Sequence, residues 1–377
     1  MNWLRFRAVA RKEFIHIRRD WRSLVGAIAI PVLLLFSLGY GLSLDVNSVR
    51  LAVWDQSRTP ASRELIQQFI GSPYFVLDGY AGSQAELQGT LDRSEALIAL
   101  VIPQTFASDL EAGHPVEVQV LADGSDTNSA SLAIGYTELV VRHYSKTLTL
   151  KALERAGAGA LRPAVELQPR VWFNPGLESR NYLLPGLIAI IMVTIAALLT
   201  SLTITREWER GTMERLICTP VTGPELILGK LAPYFGIGLF DIALSVLMCR
   251  FLFQVPLRGS VGLLFLLASV FLIGALALGM LISITTRSQL VANQQAIIFT
   301  FLPAVVLSGF LFATSNMPLI IQGLTYVIPA RYFVTILKDI FLKGVGLETV
   351  WLEAAVLSAI AVALLYFANA RFRKQLD

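Results

Sequence analysis

Residues 205–230 read TREWERGTMERLICTPVTGPELILGK, eight charged side chains set between two long apolar runs, Tyr182–Thr205 and Leu226–Phe253. Each run is long enough to cross a hydrocarbon core of ~30 Å as a helix. The stretch is therefore a turn between two membrane helices, and its chemistry is that of hard stops. Gly211 takes a left-handed conformation freely and can close the incoming helix. Thr212 stands where it would cap a new short helix, with Glu214 in the first turn facing the positive end of the dipole. Met213, Leu216 and Ile217 give that helix an apolar edge. Pro220 ends it and pushes Thr219 toward an extended conformation. Thr222 and Glu225 have capping-box spacing, with Pro224 in the first turn of the next span. A short rigid helix held this way can pass a push from a soluble partner into the membrane. A well-capped ordinary loop shares the same local features.

Working outward, apolar runs at Val25–Leu44, Val261–Thr285, Ala296–Ala313 and Thr349–Ala370 bring the expected spans to six. The hydrophobic share of the 377 residues is 55% and the charged share 15%, a balance that excludes an ordinary soluble domain. A cleaved leader flanked by Arg18–Arg22 is the rival reading of the first run. The length of that run and the amphipathic segment before it argue against a leader. Six crossings put both chain ends on one side. Seven basic residues in 1–24 (Arg5, Arg7, Arg11, Lys12, Arg18, Arg19, Arg22), with Arg371, Arg373 and Lys374 at the other end, place that side in the cytoplasm. Arg331, Lys338 and Lys343 then fall outside and count modestly against this arrangement. The amphipathic segment 314–346, broken by Pro318 and Pro329, can dip back into the membrane as a re-entrant element.

Residues 45–180 form an expected α/β domain outside the membrane, with sixteen acidic side chains against eleven basic ones. VRLAVW, EALIALVI and VEVQVL read as strands, and Pro60–Ile70, Gln84–Asp92 and Gln104–Ala112 as short helices between them. Asp123–Ala130 is loop and cap chemistry leading into a long helix that runs to about Arg155, and RAGAGALRP reads as a linker. The alternation predicts βαβ units. No internal repeat is present. The two cysteines, Cys218 and Cys249, lie outside this domain, so no disulfide framework holds it, and both read as packing residues.

At 100° per residue, segment 1–24 puts Trp3, Phe6, Ala10, Phe14, Ile17 and Trp21 on one face, opposite Arg7, Arg11, Lys12, Arg18 and Arg19. That is a helix lying on the inner leaflet, cations toward lipid phosphate. The basic excess needs no nucleic acid to explain it. Glu13 falls on the apolar side, where it either pairs with a neighbouring Arg or contacts another subunit.

Enzyme chemistry finds no footing. His16, His114 and His143 are scattered without metal-ligand spacing, and no Ser sits in a GxSxG setting. GPELILGKL at Gly223–Leu231 misses the phosphate-loop pattern by one residue of spacing and lacks Ser or Thr after Lys230. Any nucleotide energy must come from another polypeptide. Asp241 is a carboxylate near mid-span, where charge is costly. It either lines a transport path with Asn293 and Gln294 or simply packs against them or Arg250. GALALG at Gly274–Gly279 supplies small residues for close helix packing.

The connector, with Glu207, Glu209, Gly211, Thr212, Glu214, Thr219, Pro220, Glu225 and Lys230 in place, resembles the signature of bacterial type-2 ABC-transporter permeases. RKEFIHIRRDWRSL, with Lys12–Glu13 and Arg19–Asp20, resembles their amphipathic elbow helix, and IPARYFVTILKDIFLKG the segment before their last span. LIALVIPQTFASDLEAG and LADGSDTNSA are similar to drug-export members of the family. The resemblance implies an α-helical polytopic membrane protein of six transmembrane helices with an α/β extracytoplasmic domain between the first and second. Residues 206–225 would hold the coupling helix, docking through Glu207, Glu209, Gly211, Thr212, Glu214, Thr219 and Pro220 on a separate ABC ATP-binding subunit that carries ATP and Mg. The elbow interface would use Lys12, Glu13, Arg19 and Asp20. A second permease, identical or similar, would complete the transporter in the bacterial inner membrane, and a periplasmic adaptor and outer-membrane channel could extend it. The family pattern does not demand an acid at Asp241. A rival class is a membrane-anchored receptor or secretion scaffold acting through residues 45–180. An ion-coupled transporter that uses Asp241 is a second.

Overall fold

The computed structural model describes residues 2–41, 48–155, 172–175 and 178–372. The RAGAGALRP stretch after Arg155, the last residues of the first expected span, and Arg373 and Lys374 lie outside them. The chain divides into two compact units, residues 1–43 with 170–377 and residues 44–169.

The first unit begins with α1 (Trp3–Arg19) and α2 (Trp21–Gly41). The interposed unit follows, built from β1 (Val49–Asp55), α3 (Pro60–Ile70), β2 (Phe75–Tyr80), α4 (Gln84–Asp92), β3 (Ile98–Ile102), α5 (Phe106–Glu111), β4 (Gln119–Ala122) and α6 (Thr127–Arg155). Its sheet has the order β2-β1-β3-β4, with β1 parallel to both β2 and β3 and β4 antiparallel to β3. Helices α3 and α6 bury Leu65, Phe69, Ala133 and Tyr144 on one face, and α4 buries Leu87 on the other. A strand covered on both faces carries no polar alternation, which is why β3 reads ILE-ALA-LEU-VAL-ILE with every residue buried. The strand that composition missed is β2, FVLDGY. It is a sheet edge whose Asp78–Gly79 looks like a turn, and a register shift opposite it falls at Leu51/Ala52.

The first unit resumes with α7 (Ser179–Glu209), α8 (Met213–Ile217), α9 (Gly223–Leu247), α10 (Val261–Thr285), α11 (Gln289–Leu307), α12 (Leu319–Thr325), α13 (Pro329–Lys338) and α14 (Leu347–Arg371). Among the described residues, six helices are long and apolar enough to cross a membrane, α2, α7, α9, α10, α11 and α14. Helix α7 is the buried axis, packed by α2, α9, α10, α11 and α13. Gly279 allows α10 to press against it: a Cβ there would collide with Thr200 Oγ1 and the Ala197 backbone. Gly274, five residues earlier and so on another face of α10, meets Ala361 of α14, so the small-residue run serves two interfaces.

The fifth span differs from expectation. It covers Gln289–Leu307 instead of Ala296–Ala313, because Asn293 and Gln294 are taken into the opening turns and Gly309, at φ +79°, turns the chain out of the helix. Helix α12 and the α13 segment extended to Lys343 are two legs bent by 84°. Helix α1 packs on α9, and Gly223 at the start of α9 lies against Asn369 and Phe372 at the end of α14. The first helix and the last turn of α14 therefore share one end of the unit. Of the cysteines, Cys249 is buried and packs; Cys218 is exposed, so the packing reading fails for it.

Candidate functional site

At that shared end, α1, the last turns of α7 and the first turns of α9 enclose a set of charges. Lys230 is 1% exposed. Its ammonium has three donors and three acceptors: Glu13 Oε2 at 3.1 Å, Glu207 Oε1 at 3.2 Å and the Thr203 carbonyl at 3.3 Å. The second oxygen of Glu13 accepts from the Tyr234 hydroxyl at 3.2 Å. Glu207 also accepts from Lys12 Nζ at 2.9 Å and from the Thr212 hydroxyl. Two cations thus face two carboxylates with every oxygen engaged, the condition under which attraction offsets the desolvation of a buried pair.

This arrangement answers the Glu13 question with a partner that was not expected. Among the described residues Glu13 pairs with no neighbouring Arg; it is buried against Lys230, 217 positions away. The α1 face turned to the bundle is Val9, Glu13 and Ile17, while Trp3, Phe14 and Trp21 are exposed. Gly229 makes this contact possible, since a Cβ there would lie 2.8 Å from Val9 Cβ.

The connector is tied down around this cluster. Gly211 closes α7 at φ +65°, and the Thr212 N–H bonds back to the Glu207 carbonyl at 3.0 Å. Thr212 does not cap α8: its backbone is already helical, and its hydroxyl is spent on Glu207. Met213 is buried instead and anchors α8. Glu225 reaches back to the Thr222 N–H at 2.9 Å and also accepts from the Asn2 N–H at 2.6 Å. Arg5 donates to the Pro220 carbonyl at 2.6 Å. Glu209 accepts from the Gln289 N–H at 2.6 Å, and Arg287 lies over the Trp208 ring at 5.3 Å, fastening α7 to the start of α11.

The residues grouped above as a docking set therefore divide. Glu207 and Thr212 are half-buried and hold the unit together from within, while Glu209 is exposed but tied to Gln289. Gly211, Glu214, Thr219 and Pro220 are exposed, as are Arg215 and Cys218, which lie outside that set. In the elbow, Lys12 and Glu13 join the cluster and Arg19 is exposed. Asp20 stands 3.8 Å from Arg206, whose Nη1 is 2.7 Å from His16 Nε2. Arginine has no acceptor, so His16 Nε2 accepts and the imidazole is neutral. Burial, and then the Arg206 charge, hold the His16 pKa below its ordinary value.

Arg206, His16, Asp20 and Asn293 form the polar end of a cavity of about 200 Å³ whose other walls are apolar, among them Leu24, Ile30, Leu199 and Leu202. Ile195, Leu199 and Tyr234 also line a second, one-water-sized space of about 10 Å³ that holds Asp241. Asp241 is 5% exposed, and its Oδ1 has no hydrogen-bond partner. The expected pairing with Asn293, Gln294 or Arg250 does not form: Asn293 belongs to the neighbouring cavity, and Gln294 and Arg250 are exposed. Lys230, Tyr234, His16 and Arg206 were the residues missed by site reasoning on the sequence. Lys230 carried a signal, a cation just inside an apolar run, which needs a buried acid.

Six spans, a charged junction that braces an exposed connector, and cavities leading from that junction into the apolar interior define a multi-pass membrane transport protein. The profile of the ABC-2 family transporter proteins matches residues 21–369, and the chain belongs to that family as a permease. The probable multidrug ABC transporter permease YbhS of Escherichia coli (strain K12) is 40% identical over 345 residues, covering 91% of this chain and 90% of that protein. The probable multidrug ABC transporter permease YbhR of the same strain is 30% identical over 370 residues, 95% of this chain and 97% of its own. The inner membrane transport permease YhhJ, also from that strain, is 28% identical over 371 residues, with coverage of 94% and 95%.

Proposed function

We propose that the chain is the membrane subunit of an ATP-driven exporter that moves small amphiphilic compounds, drug-like or lipid-like, by alternating access. The names of YbhS and YbhR, both probable multidrug permeases, support the substrate class. The observation that carries the reading is the exposed strip of Glu214, Arg215, Cys218, Thr219 and Pro220, presented on and just after a short helix and braced from behind by Lys12, Glu13, Glu207 and Lys230. A partner pushing on that strip would move α1, α7 and α9 together. The partner is a separate ATP-binding subunit holding ATP and Mg, and the strip, with both chain ends, faces the cytoplasm of a bacterial inner membrane. A second permease copy or a similar chain completes the path. A periplasmic adaptor and an outer-membrane channel can extend it through the interposed domain. Amphiphiles would enter through the cavity beside Arg206 and Asn293, with Asp241 deeper on the way.

The test is a mild-detergent pull-down of the tagged full chain with an ATPase assay. A stoichiometric ATP-binding subunit should copurify, and Glu214→Lys should weaken its capture about tenfold or more, as expected for a reversed charge in a docking patch. Unchanged docking and transport in that variant would remove the coupling role. If only partners of the interposed domain were captured, the receptor or scaffold reading would replace this one. Asp241→Asn separates an ion-coupled transporter, which would lose transport, from the ATP-driven exporter, which should keep most of it.

A further inference from the structure

The opposite end of the same unit holds a cavity that the proposed coupling does not use. Tyr182, near the start of α7, donates to the Gly309 carbonyl at 3.1 Å, and Glu207 lies twenty-five positions further along that helix. At 1.5 Å per residue the two sites are about 38 Å apart. The cavity has a volume of about 560 Å³ and lies between the end of α11, the α12–α13 bend and α14. Arg331, Lys338 and Ser308 all line it.

Each of these polar groups has capacity left over. Lys338 Nζ donates to the Gly309 carbonyl at 2.9 Å and sits 3.4 Å from the centroid of the Tyr182 ring. Arg331 bonds the Thr325 hydroxyl and stacks 3.9 Å over Tyr326. Among the described residues neither cation is ion-paired, and Asp339, next to Lys338, pairs with Lys343 at 2.5 Å. Ser308 is 2% exposed and its hydroxyl has no hydrogen-bond partner. One acid, Glu353, also lines the cavity. Two basic side chains against one carboxylate leave the cavity short of negative charge, while carbonyls and ring faces orient the basic groups without supplying an opposite charge. Val334, Leu352 and Val356 supply apolar wall, and α12, which ends just before the lining residue Tyr326, exposes Leu319, Ile320 and Leu324.

We propose that this cavity binds the acidic head of an amphiphile, a phosphate or carboxylate, with Arg331 and Lys338 as charge partners, the Ser308 hydroxyl as an added donor, and the apolar body along α12 and α14. The export reading places such a site where cargo or a bilayer lipid is held opposite the coupling end. Binding is measured on the chain alone, so it stands or falls apart from ATP-driven transport.

The experiment is calorimetric titration of the purified full chain in a neutral maltoside detergent with dodecyl phosphate, dodecylphosphocholine and inorganic phosphate. Dodecyl phosphate should bind saturably and at least about tenfold more tightly than either of the others, since only it joins net negative charge to an apolar chain. Arg331→Gln and Lys338→Gln should each weaken it about tenfold or more, and Ser308→Ala severalfold. Glu353→Gln should tighten it severalfold by removing the opposing charge, a gain that misfolding cannot mimic. Equal binding of dodecyl phosphate and dodecylphosphocholine, or no gain with Glu353→Gln, overturns the proposal. Inorganic phosphate binding as tightly as dodecyl phosphate overturns the amphiphile assignment.

Discussion

At the α1 end the buried Lys230 ammonium meets two carboxylates, Glu13 and Glu207; at the far end the half-buried Lys338 meets a carbonyl and the face of Tyr182. Both lysines lie in one helical unit, yet their surroundings suit opposite tasks. A buried cation matched by full opposite charges is neutral and fixed, and removing either partner strands the other. A lysine matched only by a carbonyl dipole and a π-face is positioned without an opposite charge, so an anion brought beside it meets no competing carboxylate. One end is built to hold helices together and the other leaves charge for something else to meet.

The sharpest way to break this comparison is Lys230→Met, which leaves Glu13 and Glu207 facing each other without their shared cation. The expected loss is about 3–5 kcal/mol in a denaturant or thermal unfolding assay, with poor membrane yield. Adding Glu13→Leu should restore much of it, because Lys12 and Glu207 then remain as a matched pair. A single substitution as stable as wild type would mean the cluster is not a lock. Gly229→Val tests the same contact by shape: it drives methyls into Val9 and should cost about 1–3 kcal/mol, seen as early protease cleavage of α1.

Lys338→Met should cost less, about 1–2 kcal/mol, since it strands no carboxylate and forfeits one hydrogen bond and a ring contact. If it equalled Lys230→Met, the contrast between the ends would collapse. The smallest expected effect is a pH slope at His16. Its pKa is lowered in the folded chain, so the unfolded chain binds more protons as pH falls below about 6.5. Stability should fall with pH in that window, and His16→Gln should flatten the slope.

Much of the fold was legible because it follows from local chemistry. The Gly211 stop, the Glu225 reach to Thr222 and the buried β3 run came from residues adjacent in the chain. The errors share a cause. Thr212 has cap chemistry, but a carboxylate one helical turn back claimed its hydroxyl. Asn293 and Gln294 looked like a flank to the fifth span, yet the helix absorbed them. β2 was hidden because an edge strand with one open side tolerates Asp and Gly.

By itself, the sequence determined that the chain crosses a membrane several times, where an α/β unit interrupts the crossings, and that a capped, charged element joins two spans. Apolar run length, caps and breakers act over a few residues and need no distant partner. Only the tertiary structure decided which charges meet. Glu13 and Lys230 are each costly alone in an apolar setting, and nothing local says that one answers the other across 217 positions. The same holds for Ser308, Arg331 and Lys338, which share a cavity only because the chain bends at Gly309 and again between α12 and α13. Desolvation makes each such group demand a partner, and packing alone chooses which one it gets.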